Sequence, residues 1–528
     1  MDTPDWFGPE PEPLIGRAIG YSHLIDTFFL KIFPRDRPAR TARVDKITPQ
    51  LQQLGVPPSM APAPDDLVGH LRFALAHEGV ELPALMPILR RLSPESIADA
   101  FIAEPANRFA KIACYLWEIA NERTLDGLPE AEGEMEDLFD DTLYLTDRSR
   151  PGRAGRRWRV AFNGIGSPRY CVTVRRTPLI EALLKQDLLG QAAAFTTTLS
   201  PALLLRALDW AYMSETKSSF AIEQEKPGHA AAASFVHLLA EVYRDLPITE
   251  DYLVHVQNVA MLGDPLNRAF GFRAEQNRLR NAARGVLGVS YLPPPPELLG
   301  ELMDEVMRIG NDHDSALDTL VRASIVKFGF VHAHPFMDGN GRVSRFLFHK
   351  VSCADPRLAH GFVLPVSLAM ERNEADYLRA LRSFSKPARE LWKVTIAGDN
   401  AFIEQFEGEP DIYRYWDATD CVEFSLRMAQ EALNVDLVEE SDFLRRHDAI
   451  RAAVEPRSTL RGRDLRLMVR SFASTGRLSK NRHRQLVGRG HAPAAIDAAV
   501  DAALEATTRA TRASPTRGAL CAAPSASA

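Results

Sequence analysis

Apolar residues recur at three-to-four spacing along most of this chain, a period that predicts a protein built mainly of helices. Leu67, Val68, Leu71 and Leu75 form the first such face. Ser93-Pro94-Glu95 joins an N-capping hydroxyl to a proline at the first helical position and starts a helix over 97–103. Residues 109–119 make a further amphipathic helix. Alternation with period two is confined to Trp158-Val160-Phe162 and Tyr170-Val172-Val174, which predict two short strands. From 178 to about 395 the pattern is helical again, broken by a long loop over 276–296 that holds Gly285, Gly288 and four consecutive prolines, 293–296. Val286-Leu287 and Val289-Tyr291 flank Gly288, so a hairpin turning there is expected. Residues 400–505 read as helices. Residues 1–60 are rich in proline and lack a period, and 506–528, rich in Ala, Ser and Thr, are expected to be disordered. No internal repeat is visible.

At 528 residues the chain has room for about three domains. An acidic stretch over 130–141 gives way to a basic, glycine-containing one over 148–159, which reads as a hinge. The expected division is a helical N-terminal region over 1–177, a central unit over 178–395, a helical, basic C-terminal region over 396–505, and the tail. With 45% hydrophobic and 25% charged residues this is an ordinary soluble composition. A net charge of -6 argues against a general nucleic-acid or membrane-surface binder, while leaving room for local basic patches. The five cysteines (Cys114, Cys171, Cys353, Cys421, Cys521) are scattered, so neither a disulfide framework nor a Cys-rich zinc site is expected. The start, Met-Asp-Thr-Pro-Asp-Trp, shows no secretory signal, and the expected location is cytoplasmic. The most apolar stretch, 188–205, is interrupted by Gly190, Gln191, Ser200 and Pro201, and reads as a buried helical pair rather than a membrane span.

The densest chemistry lies in twelve residues, 334–345: His-Pro-Phe-Met-Asp-Gly-Asn-Gly-Arg-Val-Ser-Arg. Residues 320–331 are apolar at helical spacing. Pro335 disfavours helical geometry at His334 and ends that helix. Gly339 and Gly341 let the backbone turn and approach a ligand closely, and 343–349 resume helical spacing. The Gly339-Asn340-Gly341 turn therefore sits at a helix N-terminus, where free N–H groups and the helix dipole favour phosphate. Arg342 and Arg345, three apart, share one helix face and can grip phosphate oxygens. Asp338 is a hard oxygen ligand suited to Mg²⁺. His334 can take a proton from an incoming hydroxyl. Phe336 is expected to anchor the loop in the core.

This segment resembles the signature of Fic-domain nucleotidyltransferases at every position. The resemblance implies a Fic helical core with a short β-hairpin flap, and transfer of AMP from ATP to a Ser, Thr or Tyr hydroxyl of a protein. It implies His334 as general base, Asp338 as Mg²⁺ ligand, and Gly339, Asn340 and Gly341 as the anion hole. Arg342 would contact the bridging phosphates and Arg345 the γ-phosphate. Relatives with Lys at the second glycine phosphorylate instead, so Gly341 favours AMP transfer. Upstream, the stretch over 217–224 resembles the family's inhibitory helix, here over about 213–225, with Ser219 and Glu223 at the matching positions and Gln224 where Gly or Asn is usual. Glu223 would pair with Arg345 and hold the enzyme off. Gly271-Phe272-Arg273-Ala274-Glu275-Gln276-Asn277, with Tyr291-Leu292, resembles the flap region (276–296) that docks a target by strand pairing. Arg278 stands where family flaps usually have Trp. Tyr377 falls where the family often has an adenine-side tyrosine.

Other signals are weaker. His332, His334, His313, Asp312 and Asp314 do not share metal-ligand spacing, and His332 is expected to be structural. Arg461, Arg463, Arg466, Arg470, Lys480, Arg482 and Arg484 make 457–489 strongly basic, either a solvated face or a nucleic-acid-binding helical module. Three functions compete: the autoinhibited adenylyltransferase; removal of AMP or transfer of another nucleotide or phosphocholine; and a nucleotide-sensing DNA-binding regulator. Self-modification and homodimerisation are both open to such a chain.

Overall fold

The computed structural model describes residues 16–35, 37–148, 154–262, 267–358, 361–397 and 402–512. The fold is mainly helical, with a few two- and three-stranded sheets around the helices. Local signals in the sequence account for many helix starts. Ser93 accepts a hydrogen bond from Ser96 N at 3.2 Å, and Asp318 accepts from Leu320 N at 2.8 Å and Val321 N at 3.2 Å, capping the helix Thr319–Ala333.

Three apolar cores organise the chain. The first packs the helices Leu67–His77, Leu82–Arg91, Pro94–Ala103 and Arg108–Asn121 around Leu85, Phe101, Trp117 and Trp158. The second and largest surrounds Thr319–Ala333, which is buried nearly all round and packs on Asn340–Ser352, Pro296–Gly310 and Thr419–Glu431. The third lies C-terminal, around Ile450, Met468, Phe472, Leu486 and Ile496. Strand Tyr170–Thr173 pairs antiparallel with Ile165–Ser167 and parallel with Tyr415–Asp417. Arg90 holds the fully buried Asp411 in a fork at 2.6 and 2.8 Å, fastening the first core to the second.

Several expectations need correction. The central core does not stop at 395, because Ile412, Cys421, Leu433 and Leu444 belong to it. Residues 402–417 are not helical throughout: Phe402–Phe406 pairs antiparallel with Trp392–Ile396, and Tyr415–Asp417 is a strand. Their alternating exposure was hidden among charged and aromatic residues. The aperiodic start contains a helix, Gly20–Phe28, and a small sheet of Ala39–Thr41, Leu54–Val56 and Thr48–Pro49. The expected tail begins too early, since Pro493–Arg512 is one helix; 513–528 lie outside the described residues. The flap hairpin pairs Val289–Tyr291 with Leu279–Arg280, not with 286–287, which lie in a 3₁₀ turn. A Cβ on Gly288 would come within 2.1 Å of Ala283 O, so the glycine marks close chain approach rather than the hairpin tip. The pair over 188–205 is helical as expected, in Leu188–Thr197 and the start of Pro201–Ile222, but it is buried on one face only: Leu188, Leu189, Ala192, Phe195 and Leu203 are inside while Leu205 is 64% exposed. Among the described residues no helix is long and apolar enough to cross a membrane.

Candidate active site

The motif loop is built from the end of one helix and the start of the next. Thr319–Ala333 stops at His334, which takes left-handed geometry (φ 52°, ψ 59°), while its N–H still donates to Phe330 O at 2.9 Å. Asn340 then staples the loop, donating to Phe336 O at 2.7 Å and accepting from Phe336 N at 2.9 Å. Its side chain is spent on the loop, leaving anion binding to backbone. Phe336 is buried against Phe272 and Phe330, as expected of an anchor.

Arg273 adds a clamp that the motif does not announce. It is buried and donates to His334 O at 2.9 Å, Pro294 O at 2.6 Å and Glu275 O at 3.0 Å, while its own N–H donates to Pro335 O at 2.8 Å. Burial pulls its pKa down to about 10. Asn277, at the flap base, donates to Phe336 O and Met337 O at 3.3 and 3.0 Å. The flap and the motif loop are thus one hydrogen-bonded unit.

His334 sits with Nδ1 3.2 Å from Val331 O. A carbonyl only accepts, so the ring proton is assigned to Nδ1 and the lone pair to Nε2, the form a general base needs. Burial lowers its pKa to about 4, with the Val331 carbonyl and Glu223 pulling the other way. His332 is buried with both ring nitrogens unpartnered, stacked 4.3 Å from Phe384 and edge-on to Trp416, and burial takes its pKa to about 3. It packs as a core side chain. Both imidazoles bind protons less readily folded than unfolded. Their stabilising contribution is therefore full above about pH 6.5 and is lost as pH falls towards 4. Melting temperature should drop across that window, and His332→Phe, which keeps the aromatic stack, should flatten the drop; equal slopes in thermal melts would refute this origin.

Asp338 is half-buried at the loop. Its Oδ1 accepts from Gly339 N at 2.6 Å and its Oδ2 from Asn267 Nδ2 at 3.1 Å. A single fixed carboxylate is a donor that Mg²⁺ could use, since that ion takes one or two protein oxygens and completes its shell with phosphate and water.

Gly339, at φ 81°, caps the helix Asn340–Ser352, whose first N–H groups have no acceptor within the helix. A carboxylate lies against this helix start. Glu223 Oε1 lies 2.0 Å from where a Cβ on Gly341 would stand, so only glycine leaves it room. The same Oε1 accepts from Arg345 Nη2 at 2.8 Å, and Ser219 supplies Arg345 with two further acceptors, Oγ at 2.9 Å and O at 2.7 Å. Burial pushes the Glu223 pKa up, but Arg345, with Arg342 and His334 behind it, takes it below the usual carboxylate range. Ser219 and Glu223 come from the last turn of Pro201–Ile222. The break after it answers the oddity of Gln224, which takes the left-handed conformation (φ 59°) usually left to Gly or Asn.

Arg342 also has a carboxylate partner, one that the sequence reading missed. Glu225 accepts from its Nη1 at 3.0 Å and Nη2 at 3.3 Å, and Phe220 lies under the guanidinium at 4.9 Å. Both motif arginines are therefore held by one short segment, two residues apart in the chain. Each keeps a buried donor without a partner, Nη1 of Arg345 and Nε of Arg342. Buried guanidinium N–H groups rarely go unpaired.

Tyr377 is buried, stacked on Phe424 at 5.6 Å and close to Arg345, inside the aromatic cluster that also encloses Lys327. Arg278 replaces a ring with a charge: it pairs with Glu404 at 2.6 Å and lies over Phe402 at 4.9 Å, so the hairpin 392–406 braces the flap.

Residues 247–352 match the Fic/DOC family. The chain carries a Fic domain. Curated relatives named protein adenylyltransferase Fic, from Drosophila sechellia and Drosophila melanogaster, are 40% identical over 60 residues, which is 11% of this chain and 12% of each relative. The chain thus matches about an eighth of their length. Among solved structures, a Fic family protein from Desulfovibrio desulfuricans G20 has a TM-score of 0.38 at 17% identity, over 59% of this chain and 87% of that one. Fic-1 (aa134–508) from C. elegans has a TM-score of 0.31 at 16% identity, over 68% and 93%.

Proposed function

We propose that this Fic domain transfers AMP from ATP to a hydroxyl of a protein and is held off at rest by Glu223. The observation that carries the reading is the Glu223 carboxylate lying against Gly341 in the grip of Arg345. A site that holds an internal anion at a helix start suits a phosphate chain once that anion leaves. The two orphaned guanidinium donors point the same way. With ATP seated, Arg342 and Arg345 would hold the outer phosphates and the N–H groups after Gly339 the phosphate oxygens at the turn. The target hydroxyl, presented along the flap, attacks the α-phosphorus as its proton passes to His334 Nε2. The new O–P bond forms, the bond to the bridging oxygen breaks, and pyrophosphate leaves. Asp338 would hold Mg²⁺, which neutralises phosphate charge when bound.

Incubating the chain with ATP labelled at the α- or the γ-phosphate tests the reaction. Protein labelling from the α-label alone is expected. Labelling from the γ-label would make it a kinase, and labelling only from another nucleotide or from a phosphocholine donor would replace ATP as substrate. Release of AMP from a pre-modified target without forward transfer would reverse the direction.

A further inference from the structure

We propose that the C-terminal helical unit binds duplex nucleic acid through its phosphate backbone. The unit has its own core, formed by Val438–Val454, Gly462–Thr475, Lys480–Gly488 and Pro493–Arg512. Between residues 457 and 490, ten side chains are Lys or Arg and one, Asp464, is acidic, in a chain whose net charge is -6. That asymmetry marks a local polyanion site rather than a general property of the protein.

In the basic stretch and the helix after it, two acids are spent on particular cations. Asp464 takes Arg489 and, at 2.8 Å, His491, while Glu505 takes Arg457 at 2.9 Å. Arg463, Arg466 and Arg470 are different. They are exposed, they stand at i, i+3 and i+7 on one face of Gly462–Thr475, and none makes an ion pair or side-chain hydrogen bond among the described residues. Like charges at that spacing cost helix stability in the free protein. The three span about 10 Å of helix axis, the reach of roughly three phosphates on one strand.

The next helix adds further exposed basic and amide side chains. Gly476, left-handed at φ 67°, and Ser479 bound a four-residue turn, and Ser479 caps Lys480–Gly488 by accepting from Arg482 N at 3.3 Å. Two helices joined by a short glycine turn make a helix-turn-helix arrangement. Arg482 ties them together by donating to Ser471 Oγ at 2.8 Å. Leu486 is the one buried side chain of the second helix, so Lys480, Asn481, Arg484 and Gln485 stand exposed. These are side chains that donate to phosphates and base edges. The only phenylalanine in this basic stretch, Phe472, is buried, which leaves no exposed ring for stacking single-stranded bases.

The test uses the full-length chain and a labelled random-sequence DNA duplex of about two turns, with affinity followed by anisotropy as salt is raised. Wild type is expected to bind at low salt with a steep salt dependence. The triple change Arg463→Gln, Arg466→Gln and Arg470→Gln should weaken binding about tenfold or more and make the log–log salt slope shallower by about 3, close to 0.9 per phosphate lost. The corresponding triple Lys variant should keep the slope. AMP transfer should be unchanged in both, since these side chains touch neither core nor motif, and the melting temperature should not fall in either, since the Gln variant relieves like-charge repulsion along the helix. No duplex binding by wild type at low salt, an unchanged slope in the Gln variant, or tighter binding to polyglutamate than to duplex would each overturn the proposal.

Discussion

Glu223→Gly should label itself with α-labelled ATP at least about tenfold faster than wild type. The carboxylate lies against Gly341 at the helix start, the place the proposed function gives to phosphate, and makes a charge-assisted contact to a guanidinium that is 1% exposed. Hydrogen bonds to charged groups contribute about 1.5–3 kcal/mol, and each 1.4 kcal/mol is a tenfold change in an equilibrium. Removing Glu223 frees the anion site and the Arg345 fork together, while Ser219 continues to hold Arg345 in place. Glu225 ranks second. Its side chain is 47% exposed, and exposed ion pairs are worth about 0.2–1 kcal/mol, so Glu225→Ala alone should raise labelling only about 1.4- to 5-fold. Combined, the two changes should add if Arg342 and Arg345 are freed independently. Equal labelling by wild type and Glu223→Gly would sink autoinhibition; a larger effect from Glu225 would reverse the order of the two locks.

The motif was legible because its chemistry is local. Pro335 ends a helix, Gly339 turns the chain at φ 81°, and arginines three apart share a face, all within twelve residues, though Gly341, expected in the turn, lies inside the helix. Glu223 was legible only through resemblance, since an i, i+4 Ser/Glu pair says nothing about what it meets more than a hundred residues away. Glu225 and Arg273 were not legible. Each acts through a long-range contact, Glu225 with Arg342 and Arg273 with the carbonyls of His334 and Pro294, and no periodicity in the sequence encodes such a meeting. The fold shows the same division. Long amphipathic helices with caps could be read directly. The hairpin of Trp392–Ile396 and Phe402–Phe406 could not, because strand pairing is decided by a partner, here the flap, against which Trp392, Phe402 and Val289 share a small core.

Removing the imidazole should cost about 10²–10⁴ in the rate of AMP transfer, the usual worth of a positioned general base. His334 stands at φ 52°, a left-handed conformation that histidine adopts more readily than alanine, so alanine would add some backbone strain to the loss of the base. Asparagine tolerates that conformation, and its amide cannot take the proton. His334→Asn therefore separates chemistry from strain, and it should fall as far as His334→Ala. Both are best made in the Glu223→Gly background, where a large loss stays measurable. ATP binding should survive, because Arg342, Arg345 and the turn at Gly339 do not depend on the ring. The background also fixes the pH profile. With its pKa held down near 4 by burial, and the Glu223 charge no longer raising it, the ring is neutral above about pH 5. Transfer should therefore hold level from about pH 8 down to about pH 5.5, with no acid limb near the usual histidine value of about 6.5. An acid limb centred there would mean that the base which matters is solvated rather than buried, and full activity in His334→Asn would remove His334 from the reaction.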